Sequence, residues 1–375
     1  GVHRNECLEM LAAAPLDVLS AYDYFHGRDI DRGFRLLVYL SGRSRPEAPE
    51  SIRECDVMLS YDTVLHYPDQ RRRLRRLIRD PAMRVRSHFL DSGSFTLKTK
   101  AAAYARANRT SPWDFYETPQ FWDYIDAYAA FVKKYAAGID VYANVDAIQN
   151  PKLTWRNQKY LEREHGLCPV PVVHCGTNLK WLHRYVDAGY ELIALGGLVK
   201  AHRERSRDWI EKCFKAVSVK GVPQVKFHGF GITNWKLLVR YPWWSVDSTT
   251  WIKLAAYGKI WIPRKRRGVF DFESPPFLLF TPWDSLYKSK DRAGQHLLSL
   301  PKSGFLYAEV AEWLDSIGIP IGAVDGAGNE VEPGVLTQRH LRWWANVRYL
   351  ERLRASLPTW PWAFERKTAE RFKRL

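Results

Sequence analysis

The sequence predicts an α/β protein: a (β/α)8 TIM barrel followed by a C-terminal extension. Three observations carry this expectation. From residue 34 onward, short apolar runs rich in Val, Ile, Leu and Tyr alternate with longer helix-like stretches, which implies parallel strands joined by right-handed crossovers; about eight such units make a barrel. No GxGxxG follows the first run, so nothing supports a doubly wound dinucleotide-binding sheet. After Gly258 the alternation stops.

The elements follow in chain order. Arg35–Leu40 (RLLVYL) and Asp56–Tyr61 (DVMLSY) are apolar runs of strand length. The arginine-rich stretch 70–79 reads as a helix before the third strand, Arg86–Asp91 (RSHFLD). A helix over 121–136 leads to Asp140–Asp146 (DVYANVD), and one over 153–164 leads to Pro171–Cys175 (PVVHC). Helical stretches at 179–188 and 205–217 flank Glu191–Leu195 (ELIAL) and precede Gln224–Gly229 (QVKFHG). Ser245–Ser248 (SVDS) is the eighth strand. Residues 1–258 therefore form the expected barrel with a catalytic rim, and 259–375 a basic, Pro-rich extension. The extension carries a helix over 334–357, stopped by Pro358 and Pro361.

Composition narrows the function. Hydrophobic residues are 46 % and charged residues 26 % of the 375, which excludes disordered and fibrous classes. No apolar run approaches the roughly 18–20 residues that span a bilayer, so no membrane partner is expected. Five scattered cysteines without a CxxC pair point to reduced thiols and a cytoplasmic setting. The net charge of +16, with 16 Trp and 19 Tyr for stacking, points to a polyanion such as nucleic acid. Basic residues cluster at Lys200, Arg203 and Arg205, and again at Arg264, Lys265, Arg266 and Arg267, as candidate phosphate contacts.

In a (β/α)8 barrel, working residues sit at the C-terminal ends of strands. Asp91, Asp146, His174, Gly196–Gly197, His228 and Asp247 all fall there. Two of these lie in similar surroundings, Leu90-Asp91-Ser92-Gly93-Ser94-Phe95 and Ser245-Val246-Asp247-Ser248-Thr249-Thr250-Trp251. Two rim carboxylates permit displacement at a sugar carbon, one as nucleophile and one handling the proton, as in a glycoside hydrolase. Capping of the following helix is the commoner role for either aspartate taken alone.

LDSGSF resembles the DSGGF motif of the tRNA-guanine transglycosylases, and SVDSTTW resembles their nucleophile segment. Between them, VYANVDAIQN, VVHCGTNLKWLHRYVDAGYELIALGGLVK and KFHGFG resemble the family's recognition strands and GGL loop in order and spacing, over roughly residues 34–262. The resemblance implies Asp247 as the nucleophile at C1′ of a guanine nucleotide and Asp91 as the acid/base. It implies Asp146 on the purine's Watson–Crick edge, the main chain of Gly196, Gly197 and Leu198 against the base, and His174 or Gly176 near its carbonyl. Ser92 and Phe95 complete the expected base pocket, Phe95 by stacking.

The sequence also departs from that family. No cysteine follows Cys213, so the family's zinc cluster and its subdomain are not expected, and no cofactor is called for. Val199-Lys200-Ala201-His202 stands where an acidic residue helps select an aminomethyl base, which leaves an uncharged 7-deazaguanine of the cyano (preQ0) type. These losses resemble the 7-deazaguanine DNA transglycosylases of bacteriophages and bacterial DNA-modification clusters, which for a phage protein places it in the host cytoplasm. The expected partners are DNA, with tRNA as the alternative, the free 7-deazaguanine base, and a modification-pathway protein. A duplex substrate needs its guanine flipped out, at a few kcal/mol. A nucleic-acid-binding subunit without catalysis is the reading from another class.

Overall fold

The computed structural model describes residues 36–41, 55–66, 71–72, 86–198, 203–232, 234–285 and 296–364. The remainder of the arginine-rich stretch 70–79, apart from Arg71 and Arg72, lies outside the described residues. The chain divides into two units. The division falls at Asp247/Ser248, ahead of the expected boundary at 258, and the chain returns to the first unit from Thr359.

The first unit is a mixed α/β assembly on an eight-stranded sheet. Its strands are β1 (Leu37–Leu40), β2 (Asp56–Ser60), β3 (Ser87–Asp91), β4 (Val141–Tyr142), β5 (Val172–His174), β6 (Leu192–Gly196), β9 (Lys226–Gly229) and β10 (Ser245–Ser248). A small hairpin, β7 (Ser218–Val219) and β8 (Val222–Pro223), precedes β9. Helices α1 (Tyr61–His66), α2 (Ser94–Asn108), α3 (Pro119–Lys134), α4 (Pro151–Arg163), α5 (Lys180–Asp187), α6 (Arg203–Ala216) and α7 (Trp235–Arg240) connect the strands. The sheet order is β4-β3-β2-β1-β10-β9-β6-β5 and the strand pairs are parallel. Apart from β4 and β5, which end this order at its two edges, each strand of the sheet neighbours the sheet strands before and after it in the chain, and β10 comes back to β1 through the Leu37 N–H to Trp244 carbonyl bond of 3.1 Å. This is a curled, (β/α)8-like arrangement.

The ladder does not run continuously around. Between β4 and β5 there is only the isolated parallel bridge Ala143↔Val170. It rests on Val170 N–H to Tyr142 O (2.8 Å) and Asn144 N–H to Val170 O (3.0 Å). The strand expected over Asp140–Asp146 is accordingly reduced to two residues, and α3 and α4 supply the physical reason. Their side chains take over the hydrogen bonds that a ladder would have made. Tyr128 donates to Ala143 O (2.7 Å), Asn157 to Val145 O (2.8 Å), and Thr154 Oγ1 accepts from Ala147 N–H (3.1 Å). The segment is therefore buried with much of its backbone hydrogen-bonded while leaving the sheet, and it ends on Asp146.

The core on the β1–β4 side is aromatic. Tyr61 meets Tyr124, Tyr128 and Phe131 edge-on at 5.2–5.3 Å, and Tyr39 meets Phe89 at 5.4 Å. At the far end of the chain Trp360 packs edge-on against Trp244 at 5.5 Å and donates to Pro242 O (2.8 Å). The part of the expected extension after residue 358 is thus built into the first unit.

The second unit holds α8 (Thr250–Ala256), β11 (Lys259–Ile262), β12 (Arg264–Arg266), β13 (Val269–Asp271), β14 (Phe277–Phe280), α9 (Phe305–Ser316), β15 (Ala323–Val324), β16 (Glu330–Glu332) and α10 (Arg339–Ser356). Its strands pair antiparallel, β11 with β14, β12 with β13 and β15 with β16. Arg267 and Gly268 both take left-handed backbone, at φ 49° and 80°, as a two-residue hairpin turn demands. α10 carries the fully buried Asn346, whose Oδ1 accepts from Trp261 N–H (2.9 Å) and whose Nδ2 donates to Trp251 O (3.0 Å) and Lys259 O (3.2 Å). One amide side chain thereby ties α8, β11 and α10 together. Among the described residues no helix is long and apolar enough to cross a membrane.

Replacing Asn346 by Ala strips these bonds from a dry interior. The expected loss is about 2–4 kcal/mol of the second unit's stability, read as a lower urea midpoint by intrinsic tryptophan fluorescence.

Candidate active site

The C-terminal ends of the parallel strands gather polar side chains on one edge of the first unit. Asp91 ends β3, and the chain turns at once through Ser92 and Gly93 into α2. Gly93 adopts φ 79°, and a Cβ there would come within 2.6 Å of the Tyr124 hydroxyl, so this turn admits only glycine without rearrangement. Tyr124 in turn donates to Ser92 O at 2.6 Å. The buried Ser92 and Ser94 share a hydroxyl–hydroxyl bond of 2.9 Å, and Ser94 Oγ accepts the Asp146 N–H at 3.0 Å. The turn after β3 and the segment after β4 are thus fastened to each other.

Asp146 is buried, and its Oδ2 lies 2.6 Å from His174 Nε2 at the end of β5. Gly196 pairs with His174 across the β5–β6 register, and a Cβ on Gly196 would press on the imidazole at 3.3 Å. Its carbonyl accepts from Cys175 N–H at 2.9 Å. Gly197 has φ 72° and is exposed, and Leu198 is buried. The close approach that these glycines permit is to β5 and its histidine.

Asp247 is buried near the end of β10. Its Oδ2 accepts from Ser41 Oγ at 3.0 Å, just past β1, and its Oδ1 accepts the Gly231 N–H just past β9. His228 lies beneath it, with Nε2 at 3.9 Å from Oδ1.

Electrostatics separates the two catalytic candidates. Burial pushes the Asp91 carboxyl up to about 7, and the charges of Asp146 and Asp247 push the same way, against hydrogen bonds from Ser60 and the Gly93 N–H. Burial also pushes Asp247 up, but Gly231, Ser41 and its own N–H hold it to about 6. Asp91 is thus pushed up by neighbouring negative charge as well as by burial, and Asp247 by burial alone. Asp146 and Asp247 both act on Asp91, which is the meeting point of the three carboxylates.

Other expected site residues fall elsewhere. Phe95 stands on α2 with 60 % of its surface exposed, and Gly176, φ 87°, is also exposed. Lys200 lies outside the described residues; Arg203 and Arg205 are in α6, with side chains outside them. Arg264 to Arg267 form the first strand and turn of the β12–β13 hairpin of the second unit, where Arg264, Lys265 and Arg266 each have a partner. Lys265 Nζ reaches Glu312 (2.6 Å), Arg266 Nε reaches Asp271 (3.0 Å), and Arg264 Nε donates to Pro275 O (3.1 Å). Ser41, Ser60, Ser94 and Gly231 were not singled out from sequence, although Ser41 and Ser60 carry the signal that marked the aspartates: a polar residue closing an apolar strand. Among the described residues no group of three or more His, Cys, Asp or Glu side chains is set to hold a metal ion. No protein-family model matches the chain, and no curated protein matches it.

The raised Asp91 carboxyl makes a signed prediction. Because the folded state holds this proton more tightly than the unfolded chain, the folded state loses stability as pH rises from about 4 to about 7. Asp91→Asn removes that penalty, so it should stabilise the protein by on the order of 2 kcal/mol at pH 8 and hardly at all at pH 4, measured by urea unfolding at both values.

Proposed function

We propose that this chain is a nucleic-acid base-exchange enzyme that replaces guanine with a 7-deazaguanine in DNA through a covalent aspartyl–nucleotide intermediate. In this reading the curled sheet is a (β/α)8 barrel, with the Ala143–Val170 bridge as the seam between β4 and β5. The observation that carries it is the pair of carboxylates at the strand ends of one rim, Asp91 and the buried Asp247, both pushed up by burial, beside a third, Asp146, held by His174. The motif order LDSGSF, VYANVD, VVHCGT, GGL, SVDSTTW supports the same assignment.

The chemistry runs in two displacements. Asp247 Oδ2, which accepts from the rotatable Ser41 hydroxyl, attacks C1′ of an extruded guanine nucleotide. The C1′–N9 bond breaks, and guanine leaves with the bonding pair and the proton of Asp91. The incoming 7-deazaguanine gives its N9 proton to Asp91 and attacks C1′, and the C1′–Oδ2 bond breaks to restore the carboxylate. Two inversions give net retention. Asp146 accepts from the N1–H or exocyclic amine of either base through Oδ1, because His174 occupies Oδ2. The basic composition supplies the attraction to a polyanion.

The test is nucleoside mass spectrometry on DNA and tRNA from cells supplied with 7-deazaguanines and expressing the protein. A deazaguanine deoxynucleoside is expected, with complete loss in Asp247→Asn; a modified ribonucleoside instead moves the substrate to tRNA. Neither product leaves a protein that binds without exchanging. Asp91→Asn should keep substrate binding and lose turnover by about 10²–10⁴-fold.

On B-DNA, Arg264→Ala and Arg267→Ala should each flatten the logarithmic salt dependence of binding by about 0.9, and Arg266→Ala by less because Asp271 already engages it. Fluorescence anisotropy across a salt series reads this.

A further inference from the structure

We infer that His228 is a positioning residue for Asp247: its Nε2–H closes onto Oδ1 and, together with the Gly231 N–H, grips that oxygen while Oδ2 makes and breaks the bond to the sugar. This rests on the reading of Asp247 as nucleophile, and it adds a residue that the motif comparison leaves without a role.

His228 is wholly buried in β9. Its ring packs against Phe89 and Phe230, both with centroids at 4.6 Å and themselves 5.9 Å apart, with Tyr39 edge-on at 6.1 Å. These aromatic neighbours restrict the rotation of the imidazole. Nδ1 shares a 2.9 Å hydrogen bond with Ser245 Oγ. Among the described residues Nε2 has no hydrogen-bond partner, an unusual state for a buried nitrogen, and Asp247 Oδ1 lies 3.9 Å from it.

The protonation follows from the surroundings. Burial pushes His228 down to about 3, so the ring is neutral and carries one proton. A carboxylate oxygen facing Nε2 favours the tautomer with the proton there, and the Ser245 hydroxyl, able to donate, lets Nδ1 accept. Nε2–H therefore faces Oδ1 one short movement from a hydrogen bond. Titratable groups against the ring include Asp247, 3.9 Å from Nε2, and Tyr39, edge-on at 6.1 Å; the charge of Asp247 in turn acts on Asp91 on β3, as does that of Asp146.

The two oxygens of Asp247 are held differently. Oδ1 accepts a backbone N–H that cannot turn away, whereas Oδ2 accepts a hydroxyl that can. When Oδ2 bonds to C1′, the carboxylate charge is neutralised and Oδ1 becomes the ester carbonyl oxygen. When the second base arrives and the C1′–Oδ2 bond breaks, the pair returns to the carboxylate and charge reappears on Oδ1. A second N–H on Oδ1 makes that carboxylate a better leaving group, so His228 acts most strongly on the second displacement.

The experiment compares wild type with His228→Phe, which keeps an aromatic ring and loses the donor, and His228→Gln, which restores one. His228→Met removes the same N–H if the Phe ring is not accommodated. The first readout needs no activity: the Asp247 carboxyl titration by carbon NMR on aspartate-labelled protein, assigned with Asp247→Asn. An upward shift of about one pH unit in His228→Phe, largely reversed in His228→Gln, is expected. The second readout is exchange on a guanine-containing duplex: kcat about 10-fold lower with KM unchanged, and covalent protein–DNA adduct accumulating on a denaturing gel. An unmoved titration in all variants overturns the inference, as does equal loss of kcat in the Phe and Gln variants, which would mark a packing role. If wild type exchanges no base in DNA or RNA, the functional reading fails, and the titration alone decides the role of His228.

Discussion

The candidate site depends on holding carboxylates together in a partly dehydrated place. Burial resists the ionisation of Asp91 and Asp247 alike, and the charges of Asp146 and Asp247 add to that resistance at Asp91. The fold offsets it with donors: Asp247 accepts from a backbone N–H and a hydroxyl, and Asp91 from a hydroxyl and a backbone N–H. Asp146 lies against an imidazole. The strand ends supply these donors cheaply, because each parallel strand finishes on the same edge and the residue just beyond it is already there.

The rim was legible in the sequence for a simple reason. Parallel strands buried on both faces read as apolar runs, so a polar residue at their C-terminal end stands out. Asp91, Asp146, His174 and Asp247 could be marked this way, and the strand and helix alternation carried the α/β arrangement among the described residues, with most boundaries shifted by a residue or two and the fourth strand cut to Val141–Tyr142. Other features had no local signal. The truncation of β4 depends on Asn157, Thr154 and Tyr128 reaching backbone groups far along the chain. The return of Trp360 to Trp244 joins residues separated by more than a hundred positions. Ser41 and Ser60 are too common at strand ends to be chosen without knowing which carboxylate they face.

Charge clusters illustrate a different limit. Arg264 to Arg267 read as a concentrated basic patch, yet a run of like charge says nothing about its partners. Glu312 meets Lys265 from 47 residues away, Asp271 meets Arg266 across the hairpin, and the Pro275 carbonyl meets Arg264. Exposed ion pairs of this type contribute little stability, but they lower the local field that a polyanion would meet. The net charge of the chain and the free charge of a given patch are separate quantities, and only the second steers a ligand to a particular face.

The short β4 has a consequence for engineering. The loop that carries Asp146 is not hung between two strands; it is stitched along α4, residue by residue, and pinned to the turn after β3 through Ser94. A loop of this construction does not behave as an interchangeable cassette. Transplanting it onto another scaffold, or diversifying its sequence, requires carrying α4 and the Ser92–Ser94 turn along as one inherited module.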